Sequence, residues 1–597
     1  RYIGGEVNMV IKDPEKVDVR FAMCFPDVYE IGMSHLGIQI LYSMFNNRED
    51  ICCERVYSPW TDLDPILREK KIPLFTLETQ EPVKNFDFLG ITLQYEMCYT
   101  NVLQILDLSQ IPLHTCDRTE NDPIVIGGGP CAYNPEPLAD FFDLFYIGEG
   151  ETVYFELMDR YKENKKAGGT RKQFLEMAAE IPGIYVPAFY DVTYKEDGTI
   201  ECFLPNNEHA MPVVTKQVVT DMDSVGYIEK PLVPFIKVTQ DRVVLEIQRG
   251  CIRGCRFCQA GFIYRPFREK RHETLNKNAR ALCDSTGYDE VSLTSLSTSD
   301  YSEIEPLLNE MLTWTEPDAV NIALPSLRVD NFSRELMERV AAVRKSSLTF
   351  APEAGTQRLR DVINKNVTEE EVLRTCKTAF SGGYTNVKLY FMMGLPTETD
   401  EDIAGIIHLA QKVVDAFYHM PDKPKGRGVN VTVSVACFVP KPFTPFEFEP
   451  QDTMEELRRK QKILLDTVSS RKISVKYHDS PTSFLEAALA RGDRRLCPVV
   501  EYAWREGSRL DGWNDFFSME RWEDAAAVCG VDFSFYANRR RAYDEVMPWD
   551  HLDYGVSKAF LVRENERAHA GGTTPHCRAH CSGCGANRLL GGACFGD

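Results

Sequence analysis

The chain has 597 residues, of which 43% are hydrophobic and 26% charged, and its formal net charge is −21 at pH 7. This length predicts roughly three or four domains, and the composition is that of a soluble globular protein with no apolar run long enough to cross a bilayer. The negative charge argues against a protein covered in basic surface for duplex nucleic acid, although it leaves room for a local basic groove.

The ends and the cysteines give a second set of expectations. The chain starts at Arg1 and not at a methionine, so we expect the true N-terminus to be missing, which leaves a targeting peptide undecided. Six of the nineteen cysteines fall into two tight groups, at residues 251–258 and 577–584. In a large chain without a visible secretion signal, such clustering favours metal binding over disulfides. We therefore expect a reducing, cytoplasmic location.

Residues 1–185 alternate strand-like and helix-like segments, beginning with the buried strand pattern VDVRFAMCFPD. This rhythm predicts a doubly wound (Rossmann-like) parallel sheet with helices on both faces. One of its strands, DPIVIGGGP, ends in Gly127, Gly128 and Gly129. Glycine-rich loops after strands suit phosphate-bearing or nucleotide-tailed ligands.

The rest of the chain divides into four segments by its pattern. Residues 186–235 read as a linker or small β subdomain with a hairpin, and residues 236–475 resume the strand–helix alternation. Six candidate strands in the second segment predict a partial (β/α)6 TIM-type barrel with its chemistry at the carboxyl ends of the strands: RVVLEIQ, EVSLTS, AVNIALP, SLTFAP, NVKLYFMMG and VNVTVSVACFVP. Residues 476–575 show helical spacing, and residues 576–597 form a Cys-rich tail.

The first cysteine group carries the clearest chemistry. Cys251, Cys255 and Cys258 follow the strand RVVLEIQ with the spacing Cys-x3-Cys-x2-Cys. Three thiolates can hold three irons of a cubane 4Fe–4S cluster and leave the fourth iron open for a chelating ligand. The alternatives are a structural zinc loop or incidental thiols, but zinc normally takes four ligands and no fourth Cys or His comes before His272. Three arginines of the same loop are expected to offset negative charge: Arg249, Arg253 and Arg256.

The motif CxxxCxΦC after a strand resembles the radical S-adenosylmethionine (SAM) superfamily. This resemblance implies an enzyme that reductively cleaves SAM at a 4Fe–4S cluster to give a 5′-deoxyadenosyl radical. It also implies an electron donor such as a flavodoxin or ferredoxin. The SAM-binding residues that it implies are Phe257 beside the adenine, Thr294 and Ser295 at the amino group, Glu353 at the ribose, and Gly394.

Two later segments place the resemblance more finely. YFMMGLPTETDED and VPKPFTPFEFEP resemble the methylthiotransferase-like and tRNA-acetyltransferase-like branches of the superfamily, and ALPSLRVD resembles a third-strand segment. The branch implies methylation or methylthiolation of RNA or of a ribosome-associated substrate. The arginines considered for RNA contact are Arg358, Arg360 and the run Arg539–Arg541.

Without the resemblance, the same residues have simpler interpretations. Glu353 is equally a cap for the helix that follows it, Gly394 a turn, and Thr294 and Ser295 small polar residues at a strand end. For the whole chain, the alternative to an enzyme is a non-catalytic iron–sulfur or metal-binding scaffold or sensor that keeps the fold.

The N-terminal segments PDVYEIGMSHLG and IGGGPCAYNPEPLADFFDLFYIGEGE resemble the cobalamin-binding-like domain that precedes many radical SAM barrels. Nearly end to end, the chain resembles an uncharacterised bacterial family with this arrangement. The resemblance implies that Gly127, Gly128 and Gly129 approach cobalamin. However, the D-x-H-x-x-G pattern of a lower axial histidine is missing, and His35 has the wrong spacing. The domain then binds cobalamin without a histidine or has lost binding altogether.

The tail TPHCRAHCSGCGAN repeats the Cys-x3-Cys-x2-Cys spacing at Cys577, Cys581 and Cys584. His576, His580 or Cys594 is a candidate fourth ligand, and Asn587 stands where family members look as though they continue to a fourth cysteine. Three interpretations stay open: a second iron–sulfur cluster, a zinc knuckle, or a disordered tail with spare thiols.

Overall fold

The computed structural model describes residues 1–324, 348–421, 423 and 428–595. Its N-terminal sheet consists of β1 (Val19–Phe25), β2 (Ile51–Tyr57), β3 (Phe88–Thr92), β4 (Ile124–Gly128), β5 (Leu144–Tyr146) and β6 (Ile184–Tyr185). The strand order is β2-β1-β3-β4-β5-β6, with β1 to β5 parallel and β6 antiparallel. The order reverses between β1 and β3, and in open α/β sheets this topological switch point is where ligands bind.

The strands of this sheet are buried on both faces. Every residue of β2 is buried, including Glu54 and Arg55. Buried charges need partners, and Arg55 has two: its Nη2 donates to Glu6 Oε2 at 3.0 Å and its Nε to Glu78 Oε1 at 2.6 Å. The helices around the sheet are α1 (Tyr29–Gly32), α2 (Leu36–Asn46), α3 (Asp64–Lys70), α4 (Tyr99–Leu108), α5 (Tyr154–Lys166) and α6 (Arg171–Ala179).

A hairpin follows the sheet, as the DG turn predicts. Strands β7 (Tyr190–Tyr194) and β8 (Ile200–Pro205) are antiparallel, and Gly198 in the turn has φ +82°. A short strand β9 (Val214–Thr215) comes next and pairs with residues 552 and 553 near the end of the chain. The segment therefore ties the first sheet to the C-terminal region and is not a free linker.

The barrel segment contains two parallel sheets. The first has the order β10-β13-β14, with β10 (Val243–Glu246), β13 (Glu290–Thr294) and β14 (Asn321–Ala323). The second has the order β15-β16-β17-β18, with β15 (Leu348–Glu353), β16 (Asn386–Met393), β17 (Asn430–Cys437) and β18 (Ile473–Tyr477). Two short strands, β11 (Gln248–Arg249) and β12 (Arg268–Glu269), form an antiparallel pair beside them.

The predicted α/β fold class is confirmed, with one addition in the barrel. All six predicted strands are present, although most of ALPSLRVD, from Pro325 on, lies outside the described residues. The seventh strand, β18, escaped prediction because its sequence ISVKY buries only Ile473 fully and has no long apolar run. The helices of this segment are α7 (Gln259–Ile263), α8 (His272–Thr286), α9 (Ile304–Thr315), α10 (Gln357–Val362), α11 (Glu369–Ser381), α12 (Asp400–His419) and α13 (Met454–Thr467).

The C-terminal helices pack on the N-terminal sheet and share one hydrophobic cluster with it. That cluster runs from Val19 and Phe21 in β1 to Leu489, Trp522 and Leu561. The helices are α14 (Ser480–Arg491), α15 (Cys497–Arg505), α16 (Met519–Cys529), α17 (Phe533–Ala537) and α18 (Lys558–His569), and β19 (Leu552–Asp553) pairs with β9. Of the helices that the structure describes, none is both long and apolar enough for a membrane span.

A buried carboxyl at this contact makes stability depend on pH. Asp511 is 1% exposed, accepts a hydrogen bond from Thr100 Oγ1 at 2.7 Å, and burial raises its pKa to about 6. Because the folded state then binds a proton more tightly than the unfolded state, stability falls as the pH rises from about 4 to about 6. We expect Asp511→Asn to stabilise the protein at pH 7 by up to about 3 kcal/mol and to flatten this dependence. Urea unfolding at pH 4.5 and 7 measures it, and an unchanged pH slope in the variant contradicts it.

Candidate active site

The loop from β11 to α7 carries the first cysteine group. Cys258 caps the N-terminus of α7, where its Sγ accepts from Gly261 N at 3.4 Å, and Cys251 Sγ accepts from Arg253 N at 3.4 Å. Burial, followed by the neighbouring Cys255 thiol, raises the pKa of Cys251 to about 12 and of Cys258 to about 11. The three thiols are therefore neighbours at the carboxyl end of a barrel strand, where the sequence predicts the chemistry.

The spacing of the sulfur atoms bears on the kind of metal. Among the described residues, the only group of three or more side chains whose ligand atoms all lie within 4.8 Å is His272, Glu273 and Glu303. A zinc site with bonds of 2.3 Å to tetrahedral sulfurs needs sulfur–sulfur separations of about 3.8 Å. Neither cysteine group therefore has three sulfurs in this compact arrangement.

The arginines of the loop do not have the role that the sequence predicts. Arg249 donates to Glu246 Oε1 at 3.0 Å, and Arg253 donates to Asp300 Oδ2 at 2.8 Å. Arg256 is fully buried and donates to Glu564 Oε2 at 3.1 Å. The charge of each arginine is therefore offset by a carboxylate: for Arg249 it lies on the preceding strand β10, and for Arg253 and Arg256 it comes from residues distant in sequence. They hold the loop in place and are not spare positive charges for a cluster.

Arg256 joins the cysteine loop to helix α18. Besides Glu564, its guanidinium reaches Val362 O and Gly572 O at 2.8 Å each. Truncation of one partner of a buried ion pair leaves an uncompensated charge, so Arg256→Met should lower the free energy of unfolding by about 3–5 kcal/mol. Guanidinium chloride unfolding of the single variant and of Arg256→Met/Glu564→Leu measures this. If the double variant is no more stable than the single one, the ion pair is not the cause.

A lysine that the sequence did not single out lies beside the cysteines. Lys365 Nζ donates to Glu353 Oε1 at 3.1 Å, and both side chains are less than one-fifth exposed. Burial opposes the charge of Lys365, but Glu353 and the Cys255 thiol together raise its pKa above the usual value. The pair therefore presents a positive and a negative group next to the three thiols.

The backbone at Glu353 is strained. Its φ is +68°, and the pairing of β15 with β16 shifts register between Phe350 and Glu353. A non-glycine residue in this region costs about 1–3 kcal/mol, and such strain concentrates at functional sites. Glu353 is not the helix cap of the simpler interpretation, because Thr356 caps α10 through Leu359 N.

Phe257 forms part of an apolar cluster at the carboxyl ends of three barrel strands. The cluster contains Ala354 after β15, Leu395 after β16 and Phe438 after β17, and Phe257 packs against it partly buried. An aromatic ring next to the cysteines and next to Ala354 suits the wall of an adenine pocket. The role of Phe257 at the adenine stays a prediction.

Thr294 and Ser295 lie at the end of β13, on the same edge of the sheet as the cysteine loop. Thr294 is exposed and pairs with Glu246 in β10, while Ser295 Oγ lies 3.1 Å from Thr298 Oγ1. Thr294 has a side chain open to a ligand, and Ser295 is engaged within its own loop.

Gly394 fits the simpler interpretation of a turn. Its φ is +83°, and a Cβ atom there would lie 3.2 Å from Leu457 Cδ2. Its N–H donates to Glu398 Oε2 at 2.7 Å, and Glu398 also pairs with Lys460. The N–H of Gly394 is thus used within the protein.

Two of the three glycines at the end of β4, Gly127 and Gly129, are closely packed within the chain. A Cβ on Gly127 would lie 2.4 Å from the ring of Phe145, and one on Gly129 would lie 2.9 Å from Leu93 O. Gly128 is more open, because a Cβ atom there would lie 3.5 Å from Tyr154 Oη. His35 caps α2 by accepting from Ile38 N, and desolvation lowers its pKa to about 4.

Residues of the C-terminal region cover the switch point between β1 and β3. Trp513 Nε1 donates to Asp27 Oδ1 at 3.0 Å in the loop after β1, and Tyr95 Oη after β3 donates to Glu486 Oε2 at 3.1 Å. After β4, Asn134 Nδ2 donates to Ala490 O at 3.0 Å. The polar groups of these loops are bound by the chain itself.

A pocket without any of the cysteines in its lining lies between the N-terminal domain and the barrel segment. Met33 and Gln39 border it from the N-terminal domain, and Val243, Glu246 and Lys270 from the barrel. None of the residues predicted for SAM or cobalamin lines it.

Comparisons with known proteins match the N-terminal domain and the barrel segment separately. The family model of the radical SAM superfamily matches residues 245–410, and that of the N-terminal part of radical SAM proteins matches residues 37–187. An uncharacterized protein of Methanocaldococcus jannaschii is 29% identical over 487 residues, which are 81% of this chain and 90% of that protein.

Two further proteins are similar at lower identity. An uncharacterized methyltransferase of Pyrococcus horikoshii is 23% identical over 352 residues, 55% of this chain and 66% of that protein. The solved structure of the radical SAM methyltransferase TsrM from Kitasatospora setae, with tryptophan and a SAM analog, is 12% identical, with a TM-score of 0.48. The match covers 86% of this chain and all of that one.

Proposed function

Because this chain belongs to the radical SAM superfamily, we propose that it is a transferase-type radical SAM enzyme that methylates or methylthiolates RNA or a ribosome-associated substrate. The observation that carries the enzymatic part is the cysteine loop at the strand ends, with the Glu353–Lys365 pair beside it. A scaffold needs neither an open iron nor a strained charged pair next to it.

The residues present fit a 4Fe–4S cluster and SAM. When bound, this pair supplies a 5′-deoxyadenosyl radical that abstracts a hydrogen atom from the substrate, after one electron from a donor such as a flavodoxin or ferredoxin. Cys251, Cys255 and Cys258 would hold three irons. Lys365 and Glu353 would receive polar groups of SAM, and the apolar side of Phe257 would border the adenine while water is kept out.

The transferred group is proposed from two sources. The segment GLPTET resembles that of methylthiotransferase-like enzymes, and the Pyrococcus horikoshii relative is named a methyltransferase. Together they favour transfer of a methyl or methylthio group over other uses of the radical.

The arginines first considered for RNA contact differ in their exposure. Arg540 Nη1 donates to Glu449 Oε2 at 3.1 Å, Arg541 is buried against Arg491 O, and Arg360 is fully buried against Ala354 O. Arg539 pairs with Glu545 and Arg358 with Asp402. Arg360 and Arg541 are buried within the fold, which corrects their prediction as RNA contacts. Arg358 and Arg540 are about half exposed, so they stay candidates for such a contact.

The experiment for the substrate uses SAM labelled in its methyl group. Anaerobic protein with a chemical reductant is incubated separately with tRNA, ribosomal RNA and ribosomal proteins, and incorporated label is measured. We expect label in one of the three fractions. If 5′-deoxyadenosine forms while none of the three becomes labelled, the proposed substrate class is wrong although SAM cleavage stands.

For cobalamin, the described residues favour the alternative in which binding has been lost. The loops after β1 and β3, which border the crevice that would receive it, are bound by Trp513 and Glu486 of this chain, and His35 is engaged as a helix cap. We propose that the N-terminal domain keeps the cobalamin-binding-like fold for packing. Protein expressed with hydroxocobalamin should show no corrin absorbance after purification, and a stoichiometric corrin spectrum would contradict this.

A further inference from the structure

The second cysteine group lies in a tail that is folded onto the barrel. Cys577 N donates to Ile252 O at 2.9 Å, which pairs the tail directly with the loop of the first cysteine group. Ser557 N donates to Cys584 O at 2.9 Å, and Thr574 N donates to Asn364 Oδ1 at 2.8 Å. Asn364 in turn donates to Gly254 O in the first loop. The interpretation of a disordered tail does not agree with these bonds.

The last residues of the tail return to the same place. The ring of Phe595 stacks on Phe267, with 5.7 Å between the ring centroids, and the guanidinium of Arg578 lies over both rings. This packing fixes Cys594, the residue before Phe595. Burial, and then the thiols of the other three tail cysteines, raise the pKa of Cys594 to about 11. Cys594 is therefore a neighbour of Cys577, Cys581 and Cys584.

The other candidates for a fourth ligand are less suited. His576 Nδ1 accepts from Ala579 N at 3.3 Å and so has a structural role in the turn. His580 is exposed, and Asn587 lies in a short helix, Ala586–Leu590, with an exposed side chain. Cys594 is the candidate that is linked electrostatically to all three other thiols.

A buried arginine lies between the two cysteine groups. Arg265 is 3% exposed, and its Nε and Nη2 donate to Gly261 O and Arg253 O. Its side chain also forms a hydrogen bond with Cys584, and its charge interacts with Cys584 and Cys577 of the tail and with Cys251 of the first loop. A buried guanidinium that lies against cysteine sulfurs from both groups favours an anionic partner at this place.

We propose that Cys577, Cys581, Cys584 and Cys594 hold a second 4Fe–4S cluster, ligated by four cysteines and set against the first cluster loop with Arg265 between them. No three of these sulfurs lie within 4.8 Å of one another, so they are not arranged as a compact zinc site. With four thiolate ligands, this cluster has no open iron and does not bind SAM. A cluster with four thiolates is negatively charged and supplies the anionic partner of Arg265.

The first experiment counts metal in the full chain reconstituted anaerobically with iron and sulfide. We expect about eight irons per wild-type chain and about four in the variant with Cys577→Ala, Cys581→Ala and Cys584→Ala. Cys116→Ala, which removes an exposed cysteine outside both groups, should keep all of them. About four irons in the wild type, or stoichiometric zinc in the tail, would overturn the proposal.

The second experiment tests the fourth ligand with three single variants. Cys594→Ala should lose iron from the second site or change its electron paramagnetic resonance (EPR) spectrum, whereas His576→Ala and His580→Ala should leave both unchanged. If a histidine variant loses the iron and Cys594→Ala does not, the ligand assignment is wrong.

The third experiment separates this proposal from the proposed function. In Cys255→Ala the first cluster is removed, so the remaining cluster can be observed alone. Its reduced EPR spectrum should not change when SAM is added. A spectrum altered by SAM would show an open iron in the tail and overturn the four-cysteine site, whatever the outcome of the activity assays.

Discussion

Cys255→Ala is expected to reduce the formation of 5′-deoxyadenosine to below roughly 1% of the wild-type rate, because a site with two thiolates cannot retain the cluster that binds SAM. Cys255 is the middle ligand, and its thiol interacts with both Cys251 and Cys258. The measurement is chromatography of the products after anaerobic incubation with iron, sulfide, dithionite and SAM.

The control for this substitution is Cys116→Ala, which should cleave SAM at the wild-type rate. Circular dichroism should show the same fold for both variants, since the loop is also held by Arg253–Asp300 and by Arg256–Glu564. If neither Cys255→Ala nor the wild type produces 5′-deoxyadenosine, the alternative of a non-catalytic scaffold or sensor is favoured. Equal production by both would mean that this loop does not hold the cluster that cleaves SAM.

Lys365→Met is expected to raise the Kd for SAM by about 10- to 100-fold while the first cluster is retained. Without the lysine, Glu353 stays partly buried and unpaired next to the thiolates, so its negative charge repels the carboxylate of SAM. Lys365→Arg keeps the charge and should recover part of the affinity. Equilibrium binding of SAM to the oxidised, cluster-loaded protein measures the effect.

The matched control is Lys412→Met, which removes a lysine from a solvent-exposed pair with Glu369. Exposed pairs contribute little, so this variant should bind SAM like the wild type. An unchanged Kd in Lys365→Met with normal iron content would mean that the Glu353–Lys365 pair is structural only.

Local patterns allowed much of the fold, and the position of the three cysteines in one loop, to be predicted. Cys251, Cys255 and Cys258 are close in sequence, so their spacing alone fixes that they meet. Strands β1 to β4 of the first sheet are apolar runs buried on both faces, whereas β16 and β17 of the barrel segment alternate buried with less buried residues, and both patterns identify strands.

The parts that were missed depend on contacts between distant residues. Arg256 pairs with Glu564, which is 308 positions away in the sequence. Because no carboxylate stands near Arg256 in the sequence, it was predicted to be a free charge near the cluster. Lys365 stands among polar residues, and only the return of the chain after β15 brings it to Glu353 and the thiols. The one signal in the sequence for this pair was that a basic residue follows the predicted ribose-side glutamate 12 positions later.

The contacts of the C-terminal region with the loops of the N-terminal sheet could not be predicted for the same reason. Trp513 and Asp27 are 486 positions apart, and helical spacing in residues 476–575 does not reveal which surface those helices cover. The glycines at the end of β4 match a ligand-binding pattern. However, the groups that leave no room for a Cβ atom at Gly127 and Gly129 are the ring of Phe145 in β5 and the carbonyl of Leu93 after β3.

The central claim is that the first cysteine loop binds a cluster whose open iron receives SAM. The most direct test is the EPR spectrum of dithionite-reduced protein that lacks the tail cysteines, recorded with and without SAM. We predict the signal of a reduced 4Fe–4S cluster whose g-values shift when SAM is added, and no such signal in the additional Cys255→Ala background. A cluster signal that SAM leaves unchanged, or iron retained without Cys255, would contradict the account.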